Sequence, residues 1–71
     1  MFEKYDTVIG KSIGTTNNGT YVEIGEQRVV GWIKNKFIKK DSNVICTVSF
    51  VKSDGFPILS LDSVVYSDLV A

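Results

Sequence analysis

The sequence predicts an all-β fold, a small five-stranded antiparallel barrel with one short helical turn between its third and fourth strands. Three observations lead there. Apolar and polar residues alternate in five separate segments, Asn18-Gly19 and Asp54-Gly55 mark tight hairpins, and 71 residues can enclose only one core. The chain is therefore read as a single domain, 1–71, whose core spans about residues 6–62.

The first strand, about Tyr5 to Thr16, has two possible phases. Either Val8, Gly10 and Ser12 or Ile9, Lys11 and Ile13 could face inward, and Gly10 or Gly14 could mark a bend where the phase switches. Asn18-Gly19 then offers the positive φ angles of a two-residue hairpin, and Thr20 to Ile24 alternates so that a core of Val22 and Ile24 leaves Tyr21 outside. After the turn Gly25-Glu26-Gln27, Val29 to Lys34 sets Val29, Gly31 and Ile33 against Val30, Trp32 and Lys34. Asn35 to Asp41 is expected to form the helical turn or loop.

The fourth strand has the clearest pattern, and Val44, Cys46, Val48 and Phe50 are expected to be core. Asp54-Gly55 turns the chain into Ile58 to Asp62, with Leu59 and Leu61 on one face and Pro57 at a strand start or edge, where a missing N–H does no harm. The tail, 63–71, retains Val64, Val65, Tyr66, Leu69 and Val70, and is expected to pack back as a short helix or strand extension.

Composition excludes several functions. With one cysteine and no histidine, neither an internal disulfide nor a zinc site is available, and a reducing, cytoplasmic setting fits best. No window approaches the roughly 18 apolar residues of a membrane-spanning helix, and the opening FEKYD does not read as a signal peptide. No motif calls for a cofactor. Enzymatic chemistry is not expected, because Cys46 lies on an apolar strand face and Asp54 and Asp62 read as a turn residue and a strand-end charge.

Net charge is zero, but it is unevenly distributed. Between Arg28 and Lys52 six basic residues face one acid, a local charge of +5 balanced by −5 elsewhere. Such an asymmetry creates a basic face on a neutral molecule if the side chains converge, and a solvated surface if they do not.

The pieces GKSIGT, NNGTYVEI, GWIK, KDSNVICTV and ILSL, in that order from about Asp6 to Asp62, resemble an S1-type RNA-binding domain. The resemblance implies a five-stranded OB fold and binding of single-stranded RNA, or single-stranded DNA, through one face. Tyr21 matches one of the family's two stacking aromatics. The chain departs from the pattern elsewhere: Asn18 stands in place of the other aromatic, Lys34 in place of a histidine, and Lys52, Phe56 and Ile58 where charged or polar groups are usual.

Bases stack on aromatic faces while nearby cations meet phosphates, so the expected site comprises Tyr21, Lys34, Lys11 and Lys52, with Trp32 and Phe56 as further candidates. Strand phase puts Lys11 and Lys34 near Tyr21. For Trp32 the core reading is favoured by the family's usual leucine and by the gain from burying an indole; facing outward it would be a second platform beside Lys34. The alternative is a protein-interaction module of the same fold, its RNA face converted by Asn18, Phe56 and Ile58. The expected partner is RNA, alone or within a larger RNA-handling protein or ribonucleoprotein, bound by a monomer away from membranes.

Overall fold

The computed structural model describes residues 2–65; the tail residues Tyr66, Leu69 and Val70 lie outside the described residues. Five strands, β1 (Thr7–Thr16), β2 (Gly19–Ile24), β3 (Val29–Lys34), β4 (Asn43–Val51) and β5 (Pro57–Val65), form a closed barrel in the order β1-β2-β3-β5-β4. All neighbours are antiparallel except β3 and β5, which run parallel through Trp32–Ile58 and Ile33–Leu59. β1 is long enough to pair with β2 on one edge and β4 on the other, which closes the cylinder. This order and closure are those of the OB fold.

Alternation supplies the core. Val8, Val22, Ile24, Ile33, Val44, Cys46, Val48 and Leu59 point inward and are buried, and Pro57 opens β5 as a buried first residue. The phase of β1 is settled: Val8, Gly10 and Ser12 face in, and Ile9 is 69% exposed. A register shift between Ser12 and Gly14 then bends the strand, so that Gly14 pairs with Tyr21. β5 continues through Val65, which pairs with Asn43, so the start of the tail is strand.

Three expectations require correction. The first hairpin loop is Asn17-Asn18, with Thr16 paired to Gly19, and none of these four residues has a positive φ. The Thr16 hydroxyl accepts from the Asn18 N–H and stabilises the turn instead. Gly19 is required for closeness: a Cβ there would lie 2.1 Å from the Ile33 carbonyl oxygen and 2.9 Å from Trp32 Cζ2. Asp54-Gly55 does turn as expected, with Gly55 at φ 90° and the Asp54 carboxylate accepting from the Phe56 N–H.

Phe50 is not core. Val48 pairs with Leu59 and Phe50 with Ile58, so Ser49 is an extra residue on β4, and this bulge rotates Phe50 to the outside, where it is 54% exposed. Strict alternation would have kept it inward.

The connection from β3 to β4 contains no helical turn. Two buried hydroxyls hold its backbone to the barrel instead. Thr20 donates to the Lys36 carbonyl (2.6 Å) and accepts from the Ile38 N–H (3.1 Å), while Ser12 donates to the Lys39 carbonyl and accepts from the Ser42 N–H (3.0 Å). These bonds satisfy the groups that a helical turn would have paired within itself. Left-handed Asn35 and Asp41 (φ 63° and 69°) bracket the segment, and Ile38 is buried into the core from it.

Gly19→Ala is expected to cost about 1–3 kcal/mol, because the backbone oxygen it meets belongs to a paired strand. Gly14→Ala, with nothing within 4 Å of its Cβ, should stay within about 0.5 kcal/mol of the wild type. Urea denaturation midpoints of the two variants test this contrast.

Burial, with Asp62 nearby adding to it, pushes the Cys46 thiol from 9.0 up to about 11. The folded state thus retains a proton that the unfolded chain releases above pH 9, so the contribution of Cys46 to stability falls as pH rises from about 9 to 11. Denaturation across that range should show a shallower decline in Cys46→Ala, and the native thiol should resist an aromatic disulfide reagent at pH 8 until the chain unfolds.

Candidate nucleic-acid interface

Register brings one row of outward side chains across four strands. Tyr21 on β2 pairs with Trp32 on β3, Trp32 with Ile58 on β5, and Ile58 with Phe50 on β4. Each pairing follows from the alternation of its own strand, except at Phe50, which joins the row only because of the Ser49 bulge. The result is an apolar and aromatic band on the outside of a small barrel, where alternation ordinarily places polar groups.

Within the band Tyr21 and Trp32 are in contact, ring centroids 4.8 Å apart and planes inclined at 55°. Tyr21 is 39% exposed and Trp32 half-buried. The core reading of Trp32 is therefore corrected: the inward positions of β3 are Gly31 and Ile33, and the indole lies outside, sheltered by Tyr21 and by the bare backbone of Gly19. Mutual contact restrains both rings and leaves each an accessible portion.

Beside the band lies an open groove of about 540 Å³, walled by Trp32, Ile58 and Phe50 and edged by Lys34, Lys52, Asn18 and Asn35. Lys34 ends β3 two residues beyond Trp32 and on the same face; Lys52 leaves β4 two residues beyond Phe50. Asn18 comes from the first hairpin and Asn35 from the following loop, tied together by the Asn35 N–H donating to the Asn18 carbonyl (2.7 Å). The arrangement offers ring faces, two ammonium groups and two amides within one concavity. Those are the elements for stacking a base and neutralising its phosphate.

Of the expected site residues, Tyr21, Trp32, Lys34 and Lys52 come together. Lys11 does not join them: the β1 bulge separates it from Gly14, the partner of Tyr21, and it faces Glu23 in a different depression with Ile9, Arg28 and Asn43. Phe56 does not line the groove either. It is half-buried in the second hairpin, its ring centroid 5.7 Å from Lys52 Nζ, where it steadies the ammonium by a cation–π contact. Phe50, Asn18 and Asn35 are interface residues that the sequence does not mark as such: Asn18 stands there only as a lost aromatic, and nothing local in the sequence marks the bulge that exposes Phe50.

The Tyr21–Trp32 contact should be measurable in stability. A double-mutant cycle of Tyr21→Ala and Trp32→Ala is expected to give a coupling of about 0.5–1.5 kcal/mol; a coupling near zero would mean that the rings do not support each other in solution. Compared with known proteins, the chain matches no protein-family model and no curated protein at a significant level.

Proposed function

We propose that this chain is an S1-type OB-fold domain that binds single-stranded RNA weakly and with little base preference. The observation that carries the reading is the outward row Tyr21–Trp32–Ile58–Phe50 with Lys34 and Lys52 beside it. One base stacks on the exposed part of the Tyr21–Trp32 pair, a second enters the groove between Trp32 and Phe50, and the two lysines meet the intervening phosphates. Stacking tolerates every base, and among the described residues that line the groove the amides that could read an edge are Asn18 and Asn35, so discrimination is slight. The face between β2 and β3 and the loops joining β1 to β2 and β4 to β5 are where OB folds hold oligonucleotides. Binding is the whole of the function; a monomer in a cytoplasmic setting, alone or riding with a larger RNA-handling protein, accounts for it.

A second reading is favoured by Phe50 and Ile58, which make the groove more apolar than phosphate binding requires: the same face would contact a protein. Salt separates the two. With two phosphates neutralised, the logarithm of the RNA affinity should fall with the logarithm of salt at a slope of about −1.4, roughly sevenfold weaker binding for a fourfold rise in salt, whereas an apolar contact changes little.

Trp32 is the chain's single tryptophan, so its fluorescence reports the site directly. Titration with a short uridine-rich RNA at low and near-physiological salt should quench it saturably, with Tyr21→Ala weakening binding by about fivefold or more, a stacking loss of at least ~1 kcal/mol. Amide shifts confined to the residues around Tyr21, Lys34 and Lys52 would locate the contact. An unchanged spectrum at low salt would sink the RNA reading in favour of the protein one.

A further inference from the structure

We propose that the loop from β3 to β4 is a second stacking station for the same strand of RNA, with Phe37 as its platform and Lys36, Lys39 and Lys40 as its phosphate contacts. The inference rests on the RNA reading above and extends its footprint beyond the groove.

Phe37 is 64% exposed, between Lys36 and the buried Ile38. Ile38 supplies the apolar plug at this end of the barrel, so Phe37 is not required by the core and its ring is accessible as a platform. The charged residues that flank it in sequence are of one sign: Lys34, Lys36, Lys39 and Lys40 fall within seven residues, all exposed, before the first acid at Asp41. A bound polyanion relieves that repulsion.

The backbone beneath is fixed. Besides the four bonds to Thr20 and Ser12, the Asp41 N–H donates to the Ser12 carbonyl and the Ser12 N–H to the Ser42 carbonyl, at 2.8 and 2.9 Å. Phe37 is thus presented from a held segment, and little ordering is needed when a ligand arrives.

The loop is joined to the groove through the chain. Lys34 and Asn35 edge the groove and lead directly into Lys36 and Phe37. Phe37 lies five steps along the chain from Trp32, so their Cα atoms lie within about 17 Å at ~3.4 Å per residue. A stacked strand rises about 3.4 Å per nucleotide, so no more than about five nucleotides bridge the two platforms. A protein or an anionic membrane could also meet a basic loop with one phenylalanine. Continuity with a groove already lined by ring faces and lysines favours the extended single strand, and oligonucleotide length distinguishes it.

The experiment is a titration of the full chain with uridine trimer and uridine octamer, read by Trp32 fluorescence, for the wild type, Phe37→Ala and the double variant Lys39→Gln/Lys40→Gln. Unfolding midpoints matching the wild type verify that these exposed substitutions leave the fold intact. The octamer is expected to bind more tightly than the trimer. Phe37→Ala should weaken the octamer about tenfold and leave the trimer unchanged, and the lysine variant should reduce the octamer's salt slope by about 1.4 without altering the trimer's. Trimer binding by a wild type that gains nothing from length, or octamer binding indifferent to Phe37→Ala, would overturn the second station while leaving the groove reading in place. Absence of binding by either oligonucleotide would overturn both, and the loop would then be sought as a surface for an acidic protein or an anionic membrane.

Discussion

Two register pairs, Trp32 with Ile58 and Ile33 with Leu59, are the seam that holds the barrel shut. The other four strand pairs are antiparallel, and without this short parallel contact β3 and β5 would each end the sheet with unpaired backbone groups exposed to other chains. The seam also divides labour by alternation. Ile33 and Leu59 fill the interior, with Leu59 packing where Gly31 leaves room: a Cβ at Gly31 would come within 2.8 Å of Leu59 Cδ1. Trp32 and Ile58 are directed outward by the same pairing and join two halves of the sheet into one continuous surface. Closure and the centre of the candidate interface, the Trp32–Ile58 pair, thus have a single structural origin.

What could be read from the sequence follows from how local each determinant is. Val22 and Ile24, or Val44, Cys46 and Val48, alternate without interruption, and their burial is visible in the residues themselves. The outward position of Tyr21 follows from the same logic. Phe50 sits on a strand of the same regularity and still faces out, because the extra residue Ser49 is accommodated through its hydroxyl bond to the Ile58 carbonyl on the neighbouring strand, a pairing the residues of β4 alone do not reveal. Trp32 posed a related difficulty: composition favours burying an indole, but only pairing with Tyr21 and the close approach over Gly19 show how it can be sheltered from outside. The loop after Lys34 reads as a helical turn in the sequence because its tethers, Ser12 and Thr20, lie on other strands, where a small polar residue at an inward position is the one sign of them.

Electrostatics follows the same division. The chain is neutral, so no long-range field gathers polyanions onto the whole surface. Positive charge is instead concentrated where the barrel also exposes aromatic faces, at Lys34 and Lys52 beside the groove and at the lysines around Phe37. Under the proposed function, residence on the RNA would be set by stacking and short-range fit more than by attraction at a distance. Cys46, buried in the wall with its thiol protonated, takes no part in that surface chemistry.

The hydroxyl tethers separate two properties that loops usually combine. The path of the β3–β4 connection is set by Ser12 and Thr20, residues of the barrel, whereas its surface character is set by side chains that hold none of those bonds. Lysines 36, 39 and 40 can therefore be exchanged for other polar residues without redirecting the backbone, so the strength of an interaction can drift or be engineered while its geometry stays fixed. Conversely, losing one methyl-sized alcohol inside the barrel would change the shape of a loop on the outside without altering a single residue of that loop.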